Sequence, residues 1–508
     1  MDMDLENQIR IWNSLEDYES IIEAIGQLDA DEITPELISE AGKAYCNLAN
    51  GEDRDLLKMG LDLLSSVEDE LSDDHHWNFR MGFANYWLDR EGDAVPYFRK
   101  ALELMPDDQQ SQQLLDDCLD RIALPEFDQT FRDRVQSAWR EFLDEESSIR
   151  SMIQAEIAGT ETEDPEDDEA DSVAEKMDGI LSHALYNSSF ELGFDGKSYE
   201  LTLTSDAGPA EVFKLRYFKE HAPKEVFEHW KVNLGRQVDP SFTIEINGEE
   251  LTAKDIRVWT EWDDDGVSLS LYGKQVVPLL HDDPDQAGWV FSALLDHTLG
   301  EICAMDLVNE LTLLDEPQDE GGMPLSNLPT ALFKAGYSLS NDIERMTDIP
   351  TEYECEPIED EEADWRLDVT KGVITCPALL SEYYEGEDDV MNSFHDDGAV
   401  PGFICWPIEA VEGNNRVDAL RSFSDKLEEG ILKRAGSSSV TFIGHATGLY
   451  AGYLDFIAWD LPEVLEAAET TLNELHMPEG AFHTFRREGE TFSVVDDDEG
   501  TGETGQQA

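Results

Sequence analysis

The apolar residues of this chain change their period once, near residue 180, and that change constrains the fold more than any other feature. Before it they recur at helical spacing, as Ile9, Trp12, Leu15, Ile21, Ile22 and Ile25, then Ala41, Gly42, Ala44, Tyr45 and Leu48. After it they alternate, as in Phe190-Glu191-Leu192-Gly193-Phe194 and Tyr199-Glu200-Leu201-Thr202-Leu203. A helical stripe and a strand face bury different residues, so one element type cannot serve both halves. At 508 residues the chain is also too long for a single core. The pattern predicts a multidomain protein: a helical domain over 1–154, an acidic linker over 155–179, an α+β domain over 180–340 and a second over 350–495, both with antiparallel sheets, and an acidic disordered tail over 496–508.

Charge narrows the partners. Asp and Glu number 115 against 35 Lys and Arg, a formal net charge of −80. A nucleic acid or an anionic membrane needs clustered cations to displace its counterions, and the sequence has no such cluster. The aromatic and aliphatic content is ample for packed cores, so the acidity does not imply global disorder. Met1-Asp2-Met3-Asp4-Leu5-Glu6 lacks the basic and apolar regions of a secretory signal, and no run of ~18 apolar residues occurs. Six scattered cysteines without a C-x-x-C spacing suit reduced thiols. A cytoplasmic location is expected.

Within the helical half, Thr34 is placed to cap a helix that opens on Pro35. The stretch from Met81 to Pro106 is more specific. Gly82 leaves room for a neighbouring helix, Ala94 and Ala101 are small on the facing side, Phe98 fills the gap and Pro106 ends the second helix. These residues fall at the spacing of the tetratricopeptide repeat, and residues 75–108 resemble one. Ala41-Gly42-x-Ala44-Tyr45 resembles the first helix of another unit, although Gly42 to Gly82 exceeds the standard repeat, and Asn85 stands where the family usually has an aromatic. Residues 109–150 are expected to be capping helices. The resemblance implies a concave groove faced by Phe79, Phe83 and Tyr86, with Trp87 at its end, able to grip an apolar segment of a partner; packing of the same residues against the neighbouring helix is the competing expectation. The family's carboxylate-clamp variety needs Lys, Asn and Arg where this chain has Ser39, Lys43, Phe79 and Phe83, so a basic or apolar peptide fits better than an acidic tail.

In the second half, hairpins are predicted for 190–203 and for Ile256–Trp262 with Val267–Tyr272, a helix for 286–299 and a last strand for 303–314. In the final domain Trp365–Val369 and Gly372–Cys376 read as strands. The order from Gly402 to Arg486 is βαββαβ, which is that of a ferredoxin-like domain.

No residue set specifies a reaction. Gly444-His445-Ala446-Thr447-Gly448-Leu449-Tyr450-Ala451-Gly452 is the most site-like segment: glycines at a turn can offer N–H groups to an anion, and His445 is a weak catalytic candidate. The preferred reading is a tight turn with a bulge between two sheet strands. Asp263-Asp264-Asp265-Gly266 fails as a calcium loop because Tyr272 stands at the twelfth position, and it reads as a hairpin turn. His281-Asp282-Asp283 and His395-Asp396-Asp397 have no ligand spacing, His75-His76 reads as a solvated turn, and no metal or cofactor is expected. The expected protein is a non-enzymatic recruiter or regulator with a basic protein partner. The alternative is an enzyme with its site in the last domain around His445.

Overall fold

The computed structural model describes residues 3–495 except 30–31, 52, 89, 159–171, 187, 206–207, 247, 264–265, 319–320, 361–363 and 414. The core of the expected acidic linker and the whole expected tail therefore lie outside the described residues.

Among the described residues eight helices come first: α1 (Met3–Ser14), α2 (Tyr18–Gly26), α3 (Pro35–Leu48), α4 (Arg54–Ser65), α5 (Glu68–Leu71), α6 (His75–Tyr86), α7 (Glu91–Leu104) and α8 (Gln109–Ile122). They stack in sequence order, α3 on α4, α6 on α7 and α7 on α8. The close approaches rest on glycine. A Cβ on Gly42 would lie 2.9 Å from the Gly60 carbonyl, and one on Gly82 would lie 2.7 Å from the Phe98 ring. The expected cap is present, the Thr34 hydroxyl accepting from Leu37 N at 3.4 Å, and Asp17, Asp53, Asp74 and Asp108 do the same for their helices.

Residues 131–158 do not cap this array. They form one long helix, α9 (Phe131–Ala158), followed by α10 (Val173–Leu181). Phe131, Val135, Trp139 and Phe142 of α9 enter the core of the later modules, where Trp139 lies 4.5 Å from Phe218 and Phe131 5.1 Å from Trp459.

The span 180–340 holds two cores. Strands β1 (Ser189–Phe194), β2 (Tyr199–Thr204) and β3 (Trp230–Leu234), with helix α11 (Glu211–Glu220), share one continuous core with α9, α10 and the C-terminal sheet. The second core is separate. It holds the hairpin β4 (Ile244–Ile246) and β5 (Glu249–Leu251), the strands β6 (Arg257–Trp262) and β7 (Val267–Tyr272), helices α12 (Val277–Asp282), α13 (Pro284–Leu299) and α14 (Glu301–Leu307), then β8 (Val308–Leu313), β9 (Met323–Pro324) and α15 (Leu328–Ala335). Residues 303–307 are thus helix, and only the remainder of the expected last strand is strand. The β4–β5 sheet is antiparallel, but the two larger sheets are mixed: β2 runs parallel to β3, and β7 parallel to β8. Each parallel pair is joined through helix, which supplies the crossover that a tight turn cannot.

After the short helix α16 (Glu344–Thr347), the C-terminal module is a seven-stranded antiparallel sheet in the order β10-β11-β13-β14-β12-β15-β16. Its strands are β10 (Thr351–Glu354), β11 (Val369–Ile374), β12 (Val400–Pro407), β13 (Val440–Gly448), β14 (Ala451–Ala458), β15 (Gly480–Thr484) and β16 (Phe492–Val495). Helices α17 (Pro377–Glu385) and α18 (Asp389–Asp396) belong to the core shared with α9 and α11; α19 (Arg416–Ala435) and α20 (Leu461–Glu474) cover the other core. The expected strand 365–369 is a turn except for Val369, because its backbone is tied to side chains rather than to a neighbouring strand: Tyr453 Oη accepts from Arg366 N at 3.0 Å, and Tyr384 Oη donates to Arg366 O at 3.2 Å.

Candidate functional site

Two concave features bear on the expected sites. The first is a groove of about 550 Å³ on the helical array, between α3, α6 and the α7–α8 connection. Phe79, Phe83, Cys46 and Met105 give it apolar walls, and Lys43, Arg80, His75 and His76 line it as well. Its cations are committed internally. Arg80 crosses to α3, donating to Ser39 Oγ at 2.7 Å and pairing with Glu40. Lys43 Nζ donates to Asn13 Oδ1 at 2.9 Å, and Asn13 in turn donates to Glu40 at 3.0 Å. Burial works against ionisation of Glu40, but Arg80, Asn13 and Lys43 together hold its carboxyl below the usual range. His75 opens α6 rather than sitting in a solvated turn, with Nε2 3.0 Å from Asp108, which also caps α8.

The four aromatics expected here divide. Phe79 and Phe83 line the groove, their rings 6.0 Å apart. Tyr86 turns toward α8, donating to Asp117 at 2.5 Å beneath the Arg121 guanidinium. Trp87 lies over Gly51, 2.7 Å from where a Cβ would stand. Helical spacing put all four near one surface, but at 3.6 residues per turn Tyr86 and Trp87 point to different neighbours. Sequence reasoning missed Arg80 and Met105; Met105 follows α7 and reaches the groove only because α7 and α8 pack beside α6.

The second feature is a cleft of about 450 Å³ at the end of the C-terminal sheet, lined by Asp364, Trp365, Asp368, Tyr450, His483, Arg487 and Glu488 among others. Its floor is the 364–368 turn, where Arg366 adopts a left-handed backbone (φ 68°). Asp368 accepts from Tyr450 N at 2.9 Å, Ala451 N at 3.0 Å and Tyr453 Oη at 2.5 Å. Beneath lies the fully buried Arg366 guanidinium. It donates to both oxygens of buried Asp455, at 2.5 and 3.3 Å, and to Tyr353 Oη at 2.6 Å. The rings of Phe403, Tyr453 and Phe485 surround it at 5.1–5.3 Å. Burial depresses the His483 pKa, and its Nδ1 donates to Thr484 O at 2.7 Å.

Two carboxyls at the contact between array and C-terminal module are pushed up to about 7: Glu488, by burial and the nearby Asp93 and Glu91, and Glu382, by burial with Asp389 and Glu387 beside it. Both folded values lie above the usual 4.5, so the folded chain keeps protons that the unfolded chain has lost. Their contribution is complete below the unfolded value and is lost as pH rises through the folded one. His395 acts in the opposite sense, since burial and Arg486 depress its pKa to about 3. The differential is therefore the clean measurement: Glu488→Gln gains stability relative to the parent chain as pH rises from about 5 to 8, read as the difference in urea midpoints.

The glycine-rich segment 444–452 does not form an anion nest. Gly444 to Gly448 belong to β13, the turn is Leu449-Tyr450, and the Tyr450 and Ala451 N–H groups are taken by Asp368. The glycines answer to crowding: a Cβ on Gly444 would meet Val373 O at 2.2 Å, and one on Gly448 would meet Asp368 at 2.0 Å. The bulge expected as the other reading lies in β13, between Phe442 and Gly444 against β14. His445 stands exposed on β13, with Glu428 and Asp455 in its field, and lines neither the groove nor the cleft. In the Asp263–Gly266 turn, residues 264 and 265 lie outside the described residues; Asp263 accepts from Asn309 Nδ2 at 3.2 Å. His395 lies 6.2 Å from Phe127, and Asp397 pairs with Lys214 at 2.6 Å, so that triplet divides between two environments. His281 and Asp282 end α12, and Asp283 caps α13 through Gln286 N at 3.1 Å. Among the described residues no group of three or more His, Cys, Asp or Glu is placed to hold a metal ion, and no helix is long and apolar enough to cross a membrane. Compared with protein-family models, curated proteins and solved structures, the chain has no match.

Proposed function

We propose that the N-terminal helices are a tetratricopeptide-like recruitment module whose groove binds a segment of a partner protein, and that the protein is a cytoplasmic, non-enzymatic scaffold or regulator. The observation that carries this reading is the groove itself: Phe79, Phe83 and Met105 provide apolar walls, while the groove's own cations are occupied by Glu40, Asn13 and Ser39. The surrounding chain carries a net charge of −80. An apolar trough in an acidic field favours a peptide with an aliphatic or aromatic anchor flanked by Lys and Arg. The C-terminal module is read as ferredoxin-like. Its β12-α19-β13-β14-α20-β15 order, with β13-β14-β12-β15 in the sheet, supports that. An enzyme centred on His445 has less support, since the imidazole is solvent-exposed and outside both concave features.

The test is peptide-display selection on the full chain at low salt. Enriched sequences should carry the apolar anchor and basic flanks, and should weaken as salt rises. Met105→Lys, at a position 44 % exposed and so safe for folding, should weaken the selected peptides about tenfold or more, the scale of a moderate hot spot. Peptides that bind this variant as tightly as the parent chain would rule out the groove.

A further inference from the structure

The turn between β15 and β16 touches two modules at once. On its outer side it meets the helical array. Helix α7, like the short α5, begins without a cap of its own: Arg90 makes no side-chain cap bond. Glu488, 395 residues away in sequence, supplies it, accepting from Asp93 N at 2.7 Å. Gly92 makes the approach possible, since a Cβ there would lie 2.5 Å from both Cβ and Oε2 of Glu488. Two residues earlier, buried Arg486 donates to Glu91 of α7 at 3.2 Å, to Asp388 at 2.7 Å and to Asn392 at 2.6 Å. Glu91 is itself fully buried and also accepts from Arg121 of α8 at 2.9 Å. Glu490 N donates to Ile122 O, at the end of α8, at 2.8 Å.

On its inner side the same turn walls the cleft. Arg487 Nε donates to Asp364 at 3.1 Å, and Thr491 Oγ1 accepts from Trp365 Nε1 at 2.9 Å. Arg487, Glu488, Gly489 and Thr491 all line the cleft. One short turn therefore ties the first turn of α7 to the 364–368 floor.

We infer that the 486–491 turn is a latch by which the helical array sets the shape of the C-terminal cleft, so that displacing α7 loosens the cleft and occupying the cleft tightens the array. The coupling must be reciprocal, because both ends bias the same element. It does not depend on what the groove binds; the peptide reading can fail and leave the latch intact.

Hydrogen–deuterium exchange on the full chain tests it, with Gly92→Ala and Glu488→Ala as the variants. Ala is the better helix former, so on propensity alone Gly92→Ala should slow exchange in α7. The latch predicts the reverse: about tenfold faster exchange or more at the Asp93 amide in both variants, the scale of a lost cap. It also predicts faster exchange at 364–369 and at the Tyr450 and Ala451 amides. Glu488→Gln, which keeps an acceptor oxygen, should show a smaller increase. Asp17→Ala, which removes a cap that α2 supplies for itself, should act on α2 alone. Slower exchange in α7 of Gly92→Ala overturns the contact. Unchanged exchange at 364–369 and 450–451 in both latch variants overturns the coupling.

Discussion

Arg366→Met should lower the stability of the C-terminal module by about 3–5 kcal/mol, the scale seen when one partner of a buried ion pair is removed. Arg366 and Asp455 are both fully buried. Burial already raises the Asp455 pKa, against the pull of Arg366. Without the guanidinium, Asp455 must either ionise unpaired or take up a proton at neutral pH, and Tyr353 Oη loses a donor. Left-handed backbone strain does not enter the comparison, since Met at φ 68° pays what Arg pays. The double variant Arg366→Met/Asp455→Leu should recover most of the loss, because an apolar replacement of a whole buried pair is often neutral. Urea denaturation followed by circular dichroism gives both numbers. A single variant as stable as the parent chain would mean that the pair contributes nothing, and that the aromatic cage alone holds the turn.

A comparable loss, about 3–5 kcal/mol, is expected for Lys214→Met. Lys214 of α11 is fully buried and joins the first small sheet to the C-terminal module. Its ammonium reaches Asp397 Oδ2 at 2.6 Å, Glu211 Oε1 at 2.8 Å and Ser393 O at 3.0 Å. Burial raises the Asp397 pKa even with the lysine beside it. Removing Lys214 leaves two carboxylates facing each other without a cation. The sign of the pH effect follows. A carboxyl with a raised folded pKa contributes stability at low pH and loses it as pH rises, so the deficit of Lys214→Met should shrink toward acid pH. Adding Glu211→Gln and Asp397→Asn should restore much of the midpoint at neutral pH. If the deficit is independent of pH, the cost lies in packing rather than in charge.

Local patterns were legible. Thr34-Pro35 marked a helix start, Gly82 and Phe98 marked a helix contact, and Asp263 to Gly266 marked a hairpin connection. Each depends on residues near one another in the chain, where backbone preference and side-chain spacing act directly. The short helices α17 and α18 were not legible. They are nine and eight residues long, too short for a sustained period, and they hold their shape by burying Leu379, Tyr383, Met391 and Phe394 in the shared core. Trp365–Val369 misled for the same reason: an apolar alternation there is overridden by a buried arginine that ties the backbone to Tyr453 and Tyr384.

Of the candidate sites, Phe79 and Phe83 were legible because they are spaced to share a helix face. Glu488 was not, since one glutamate among 115 acidic residues carries no mark of its partner 395 residues away. The amino-acid order by itself determined the helical first half, the hairpin of Ile256–Trp262 with Val267–Tyr272 and the net charge, because those properties are set by near neighbours and composition. Tertiary structure alone decided that α9 and the first small sheet share a core with the last module, that Arg366 and Lys214 are buried with their carboxylates, and that a C-terminal glutamate caps an N-terminal helix. Those outcomes depend on which distant surfaces exclude water together, a choice made only when the whole chain packs.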